Sequence, residues 1–245
     1  MQGIIAGRRP VMEALRAGTG LERVVFLQGV QGNVIEEIRR FAEQKGVQVV
    51  QANKLQFREL ATDATTQGVV AVLAMETKYA DLEGILAVPE ARGEKGFLLI
   101  LDELEDPQNL GALIRTAEGA GVHGVIIPKH HSASVTAAVV KASAGATEHM
   151  SIGEVTNIVA ALEKLKERGY WVVGLAAEGD KTFYDVAYTT PVAIVVGNEG
   201  KGIRRLVREH CDHLVRIPMF GKIESFNASV AGALVLYEVA RQRRP

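Results

Sequence analysis

Asn109, Arg115, Glu199, Ser225 and Asn227 are the side chains with which this chain could do chemistry. They fall in three polar, glycine-bearing stretches. The first is Asp102-Glu-Leu-Glu-Asp-Pro-Gln-Asn-Leu-Gly-Ala-Leu-Ile-Arg115. Pro107 suits a first helical position, Asn109 could cap, and Gly111 permits another backbone to come close. Arg115 then stands inside a helix with Glu118, either as an anion-binding group or as a surface arginine paired with an acid. The second stretch, Gly197-Asn-Glu-Gly-Lys-Gly202, has three glycines that let backbone hug a ligand, and the next helix offers free N–H groups. It has neither the G-x-G-x-x-G spacing of a dinucleotide site nor the G-K-S/T ending of a Walker loop. The third, residues 217–232, leaves an apolar run at Pro218, which cannot donate to a strand ladder. Ser225, Asn227 and Ser229 then crowd a helix start, where they either cap free N–H groups or hold a ligand.

The flanking residues fit strands that feed these loops. Residues 97–101 and 192–196 are continuous apolar runs, as in strands buried on both faces, and 124–127, 170–175 and 214–217 read the same way. Helices are expected over 110–121, 135–144, 155–168, 203–210 and 227–241. Strands alternating with helices at these lengths argue for an α/β protein with a mostly parallel sheet, whose ligands collect beyond the carboxyl ends of strands. Before this comes a smaller alternating unit, residues 1–74. It has strands at 23–27, 47–50 and 69–73 and helices at 9–17, 34–44 and 54–61. In the second of these helices Val34, Ile35, Ile38, Phe41 and Ala42 share one side. Residues 75–96 are polar and apolar-poor around Pro89, with one weak helical turn at 82–87. They read as a linker to a second domain at 97–245.

Composition narrows the function classes. The chain has 245 residues, 47% of them hydrophobic, and a formal net charge of −1, so any surface for nucleic acid must be local. Its single cysteine, Cys211, excludes an intramolecular disulfide and a cysteine zinc cluster. The adjacent pair His130-His131 is poorly arranged to converge on one ion, so no metal is expected. No signal pattern or membrane-length apolar run is present, which makes a reducing cytoplasm the expected location.

Together the three stretches resemble the signature motifs of the SpoU-type (TrmH-like) RNA ribose 2′-O-methyltransferases of the SPOUT superfamily. The matching segments are Asp106-Pro-Gln-Asn-Leu-Gly-Ala-Leu-Ile-Arg115, Ile194-Val-Val-Gly-Asn-Glu-Gly-Lys-Gly202, and Ile217-Pro-Met219 with Ser225-Phe-Asn-Ala-Ser229. Gly7-Arg-Arg-Pro-Val-Met-Glu-Ala-Leu15 and Thr66-Gln-Gly-Val-Val-Ala71 look like the ribosomal L30e-type RNA-binding domain that precedes the catalytic domain in the RlmB-like branch.

The resemblance implies a deep C-terminal trefoil knot, although general folding rules disfavour knots. It also implies S-adenosylmethionine among the knotted loops, contacted by Gly197, Ile217 and Phe226, and a homodimer assembled near them. Phe226 replaces the leucine usual there, and Glu224 stands where relatives often carry a small polar residue. Arg115 would anchor a phosphate and steady the reacting oxygen, since a guanidinium is not readily deprotonated. Asn109 would position Arg115 or the ribose, Glu199 would orient a neighbouring group, and Ser225 and Asn227 would order the substrate. The implied reaction is methylation of a ribose 2′-hydroxyl, in the RlmB-like layout on a guanosine of large-subunit rRNA. A tRNA substrate and a non-catalytic RNA-binding module are the alternatives. Arg8, Arg9, Arg39, Arg40, Arg241, Arg243 and Arg244 are the candidate basic contacts to RNA.

Overall fold

A computed structural model describes residues 3–60, 65–73 and 79–244. The chain divides into two compact units, Met1–Thr77 and Lys78–Pro245. The first unit runs β1 (Ile4–Ala6), α1 (Arg8–Ala17), β2 (Leu21–Leu27), α2 (Asn33–Gln44), β3 (Gln48–Ala52), α3 (Lys54–Leu60) and β4 (Val69–Leu73). Its sheet has the order β1-β4-β2-β3, with β2 and β3 parallel and the other pairs antiparallel. Alternation along β2 sends Val24 and Phe26 to one core and Val25 to the other. Ile35, Ile38 and Ala42 of α2 are buried as their spacing requires, whereas Val34 faces solvent. β1 was not expected, because three residues carry too little pattern to read.

The second unit begins with a correction. Residues 79–96 of the expected linker belong to the fold, and residues 75–78 lie outside the described residues. α4 (Leu82–Arg92) is capped by Asp81, whose carboxylate accepts from the Gly84 N–H at 2.8 Å. Ile85 and Leu86 are buried in a core with residues of the sheet. The helix sits close because Gly124 and Gly153 leave room for Ile85: a Cβ at either glycine would meet that side chain at 2.5 Å. The proline and the polar run after it misled here, since Pro89 lies inside the helix rather than ending it.

The chain continues with β5 (Phe97–Asp102), α5 (Pro107–Ala120), β6 (Gly124–Pro128), α6 (Ala137–Ala142) and a short 3₁₀ turn (Ala146–Glu148). After β7 (Ile152–Val155) come α7 (Ile158–Glu167), β8 (Trp171–Leu175), β9 (Lys181–Thr182), β10 (Val192–Gly197), α8 (Arg205–Glu209), β11 (His213–Arg216) and α9 (Ala228–Arg243). The expected helix over 155–168 is divided. Its first residue ends β7, and Asn157 caps α7 by accepting from the N–H groups of Val159 and Ala160.

The seven strands form one all-parallel sheet in the order β7-β6-β5-β10-β8-β11-β9. β5 and β10 lie side by side at its centre and are buried along their whole lengths. Leu99, Leu101, Ile194 and Val196 meet residues of α5, α6 and α9 on one face, while Leu98, Ile100, Ala193 and Val195 meet α4, α7 and α8 on the other. All carboxyl ends therefore share one edge, and the loops after β5, β10, β8 and β11 are consecutive along it.

Replacing Ile85 with alanine separates a docked helix from a linker. We expect a stability loss of about 2–5 kcal/mol in chemical denaturation, as for other buried isoleucines; a linker residue would show almost none.

Candidate active site

The first loop is held from both ends. Asp106, rather than Asn109, caps α5, accepting from the Gln108 N–H at 2.9 Å, with Pro107 at the first helical position. Gly111 does permit a close backbone. A Cβ there would stand 2.4 Å from Ala142 Cβ and 2.8 Å from the Val139 carbonyl oxygen of α6. Asn109 is thereby freed for another task. Its buried side chain donates through Nδ2 to Glu199 Oε1 at 2.7 Å, linking the first loop to the second.

The second loop closes on itself. Asn198 and Gly202 exchange backbone hydrogen bonds of 3.1 and 2.9 Å, and Asn198 Oδ1 accepts from the N–H groups of Gly200 and Lys201. Gly197 is required here, since a Cβ would fall 2.2 Å from the Gly202 carbonyl carbon. Asn198 Nδ2 also donates to the Glu103 carbonyl oxygen at 2.9 Å.

A clamp that sequence reasoning missed ties these loops together. Asp102, in register with Gly197 and fully buried, accepts from the Arg204 backbone N–H and Nε, both at 2.8 Å, and from Nη2 at 2.6 Å. Arg204 reaches Glu103 with its other terminal nitrogen, at 3.0 Å. Hydrogen bonding to Asp102 is the main cause holding the guanidinium pKa above its ordinary value. The only signal in the sequence was an acid ending an otherwise apolar strand.

The third loop, 217–227, leaves β11 and reaches α9. Asn227 caps α9, accepting from the Ser229 N–H at 2.9 Å and its hydroxyl at 2.6 Å. The capping reading therefore holds for Asn227, while Ser225 is exposed and takes no part in the cap. Among the described residues, the N–H groups of 217–227 donate no hydrogen bond to the chain. Ile217, Met219, Glu224, Ser225 and Phe226 line a cleft of about 100 Å³ with Leu175, Ala176 and Ala177 at the end of β8. Its apolar walls and unpaired peptide N–H groups suit a flat heteroaromatic ring hydrogen-bonded by main chain. A cavity of about 470 Å³ also exists, beside Phe97 and His123 at the opposite edge; Arg243 and Arg244 line it, and none of the candidate catalytic or cofactor-binding residues does.

Arg115 is exposed and, among the described residues, makes no ion pair or hydrogen bond; the expected acid partner is absent. Six residues along α5 separate it from Asn109, about 9 Å in rise and about 120° in rotation. One chain thus brings Asn109 to Glu199 but does not turn Arg115 toward them. Instead Arg115 shares a helix face with Gly119, and a Cβ on Gly119 would lie 3.2 Å from the Tyr237 hydroxyl of α9. Tyr237 continues an exposed apolar stripe with Val230 and Leu234.

Other candidates are accounted for. Arg243 is a structural staple. Its guanidinium donates to the carbonyls of Lys95, Gly96, Tyr188 and Thr190 and lies over Phe97, and burial lowers its pKa. Arg241 pairs with Glu238. Burial pushes the Cys211 thiol up to about 12, so it is no nucleophile at neutral pH.

Comparison with known proteins places this geometry. The SpoU rRNA Methylase family matches residues 96–237, and the RNA 2′-O ribose methyltransferase substrate-binding family matches residues 4–79. The chain belongs to the SpoU methylase family. Bacillus subtilis YacO, assigned to the TrmH family of tRNA/rRNA methyltransferases, is 40% identical over 98% of this chain and 96% of its own. Among solved structures, the SpoU methyltransferase AviRb from Streptomyces viridochromogenes in complex with the cofactor AdoMet is 26% identical with a TM-score of 0.64, over 99% of this chain and 90% of that one. The AdoMet-bound rRNA methyltransferase from Sinorhizobium meliloti is 25% identical with a TM-score of 0.64, over 100% and 88%. The SpoU fold and the α/β sheet expected from sequence therefore agree.

Gly197→Ala tests the loop geometry. Its Cβ meets backbone that cannot yield, so we expect a loss of about 1–3 kcal/mol. Calorimetry should also show weakened S-adenosylmethionine binding.

Proposed function

We propose that the protein transfers a methyl group from S-adenosylmethionine to a ribose 2′-hydroxyl of RNA, on a guanosine of large-subunit rRNA. The observation that carries this is the Asn109–Glu199 hydrogen bond, which joins the first two motifs beside the cleft of the third. Ile217 and Phe226 would hold the donor with the main chain around Gly197, and Glu224 would border it. The donor supplies an electrophilic methyl group. Asn109 fixes one carboxylate oxygen of Glu199, leaving the other to accept the hydrogen bond of the 2′-hydroxyl and take its proton. Arg115, permanently charged, binds the adjacent phosphate and stabilises the developing oxyanion. Ser225 orders the ribose, and Asn227 keeps the loop at the start of α9.

In this reading Arg115 serves the site of a second copy. Val230, Leu234 and Tyr237 recur at helical spacing on a face left exposed among the described residues, and Arg115 borders that face. A homodimer through α5 and α9 buries the stripe and brings Arg115 into the partner's loops. A trefoil knot is part of the same proposal. β10 fills the gap left between β5 and β8, and the chain then returns from β11 to lay α9 against α5. The first unit, a mixed sheet with cores on both faces, would bind RNA as an L30e-type domain. Of its candidate arginines, Arg9 and Arg40 are exposed, while Arg8 is half-buried and Arg39 is half-buried over Phe26. No helix among the described residues is long and apolar enough to cross a membrane, in keeping with work on RNA in the cytoplasm.

A tRNA substrate is the second reading, since the name of YacO covers both RNAs. Transcripts of each class, incubated with tritiated donor, separate the two: one nucleotide of rRNA should become resistant to alkaline cleavage. RNA binding without any transfer would leave a non-catalytic module. Arg115→Lys keeps the charge but loses the planar fork, and kcat should fall about 10²–10³-fold, the usual cost of one oxyanion donor. Tyr237→Glu should give monomers in analytical ultracentrifugation, with donor transfer lost.

A further inference from the structure

The loop after β6 carries Lys129, His130 and His131, all exposed. Among the described residues their side chains make no ion pair or hydrogen bond. By contrast, His123, His210 and His213 contact Glu94, Glu163 and Lys181. β6 is the parallel neighbour of β5, so this loop leaves the same edge as the catalytic loops. It is also fastened to them. The Ala133 N–H and Ser132 hydroxyl both donate to the Leu104 carbonyl oxygen, at 2.8 and 3.1 Å. Leu104 follows Glu103, whose carbonyl binds Asn198 of the second loop. Four strand spacings, roughly 19 Å, separate β6 from β11, so the loop flanks the reaction centre on the side away from the cofactor cleft.

His131 has a φ of 58°, in the left-handed region. That conformation costs a non-glycine residue about 1 kcal/mol, and glycine would relieve it. An imidazole kept there at a cost, with no side-chain partner among the described residues, points to an external one. Of the neighbouring acids, Glu103 is bound to Arg204 and Asp106 caps α5, while exposed Glu105 forms no ion pair among the described residues. Glu154 on β7 forms no ion pair among the described residues. No group of three ligating side chains suitable for a metal ion occurs among the described residues either.

We propose that Lys129, His130 and His131 form a subsite for the phosphodiester backbone of the RNA strand beside the target nucleotide. Lys129 contacts a phosphate as a point charge, and the two imidazoles donate to phosphate or ribose oxygens. The proposal rests on the reading of the chain as an RNA methyltransferase.

The test uses full-length protein, a large-subunit rRNA transcript with tritiated donor, and fluorescence anisotropy of the same transcript, labelled, across a salt series. Lys129→Ala should raise the RNA KM about tenfold, as for one lost charge-assisted contact, with kcat within twofold. Its salt slope should fall by about 0.7–0.9, one phosphate's share. His131→Gly is the sharper variant. It should match or exceed the wild type in thermal stability, yet bind RNA more weakly, a combination no structural role produces. Unchanged RNA affinity and salt slope in both variants would overturn the subsite. Wild-type protein that binds RNA without methylating it would sink the enzymatic reading alone, and the anisotropy comparison would still decide the subsite. Failure to bind RNA at all would remove both.

Discussion

A carboxylate at the end of a fully buried strand is costly unless its oxygens are paired, and Asp102 is such a group. Arg204 answers it with its backbone N–H, Nε and Nη2. Because Asp102 terminates β5 and Arg204 follows the loop after β10, satisfying this one charge fixes where the second loop must close. Closure brings Asn198 onto the Glu103 carbonyl and leaves Glu199 within reach of Asn109. The Asn109–Glu199 pair is therefore downstream of the Asp102 clamp, and neither loop would hold its side chain in place alone.

Backbone exclusion acts alongside charge. Gly197 leaves no room between β10 and the returning loop, and Gly111 leaves none between α5 and α6. Gly232 does the same for α9, since a Cβ there would meet Leu113 of α5 at 2.5 Å. These contacts advance together along the two helices, from Leu113 opposite Gly232 to Gly119 opposite Tyr237, so α5 and α9 run parallel with their first turns at the same end. Packing alone thus sets Asn109 and Asn227 beside one another at the carboxyl edge of the sheet.

Legibility in the sequence followed the range of the interactions. Residues 97–101 and 192–196 could be read as central strands because burial on both faces leaves an unbroken apolar run. The α2 pattern was readable because its period is local. Helix α4 was not, since Pro89 lies within it and its close docking also depends on glycines in β6 and β7. The helix expected over 155–168 merged a strand with a helix because both are apolar and only Asn157 divides them. Glu199 and Asn109 could be named from their loops, yet their bond spans 90 positions and the Asp102 clamp spans 102. Pairing at that distance leaves no trace in spacing.

Helix α9 carries the remaining argument. One side buries Val235, Leu236 and Val239, and the other exposes Val230, Leu234 and Tyr237. A helix apolar on both sides is expected between two partners, and the described residues supply only one. The cleft proposed for the cofactor points the same way. At about 100 Å³ it falls well short of the roughly 300 Å³ or more typical of sites for ligands of this size. One wall is the 217–227 loop, where Phe220 and Ile223 also stand exposed. Since no N–H group of that loop donates a hydrogen bond among the described residues, shifting it breaks none of those bonds. A second copy covering the stripe would bury those apolar side chains, fix the loop and bring in Arg115. In the proposed dimer, association, cofactor binding and completion of the catalytic set would be one coupled event, consistent with a single chain presenting Arg115 away from Asn109 and Glu199.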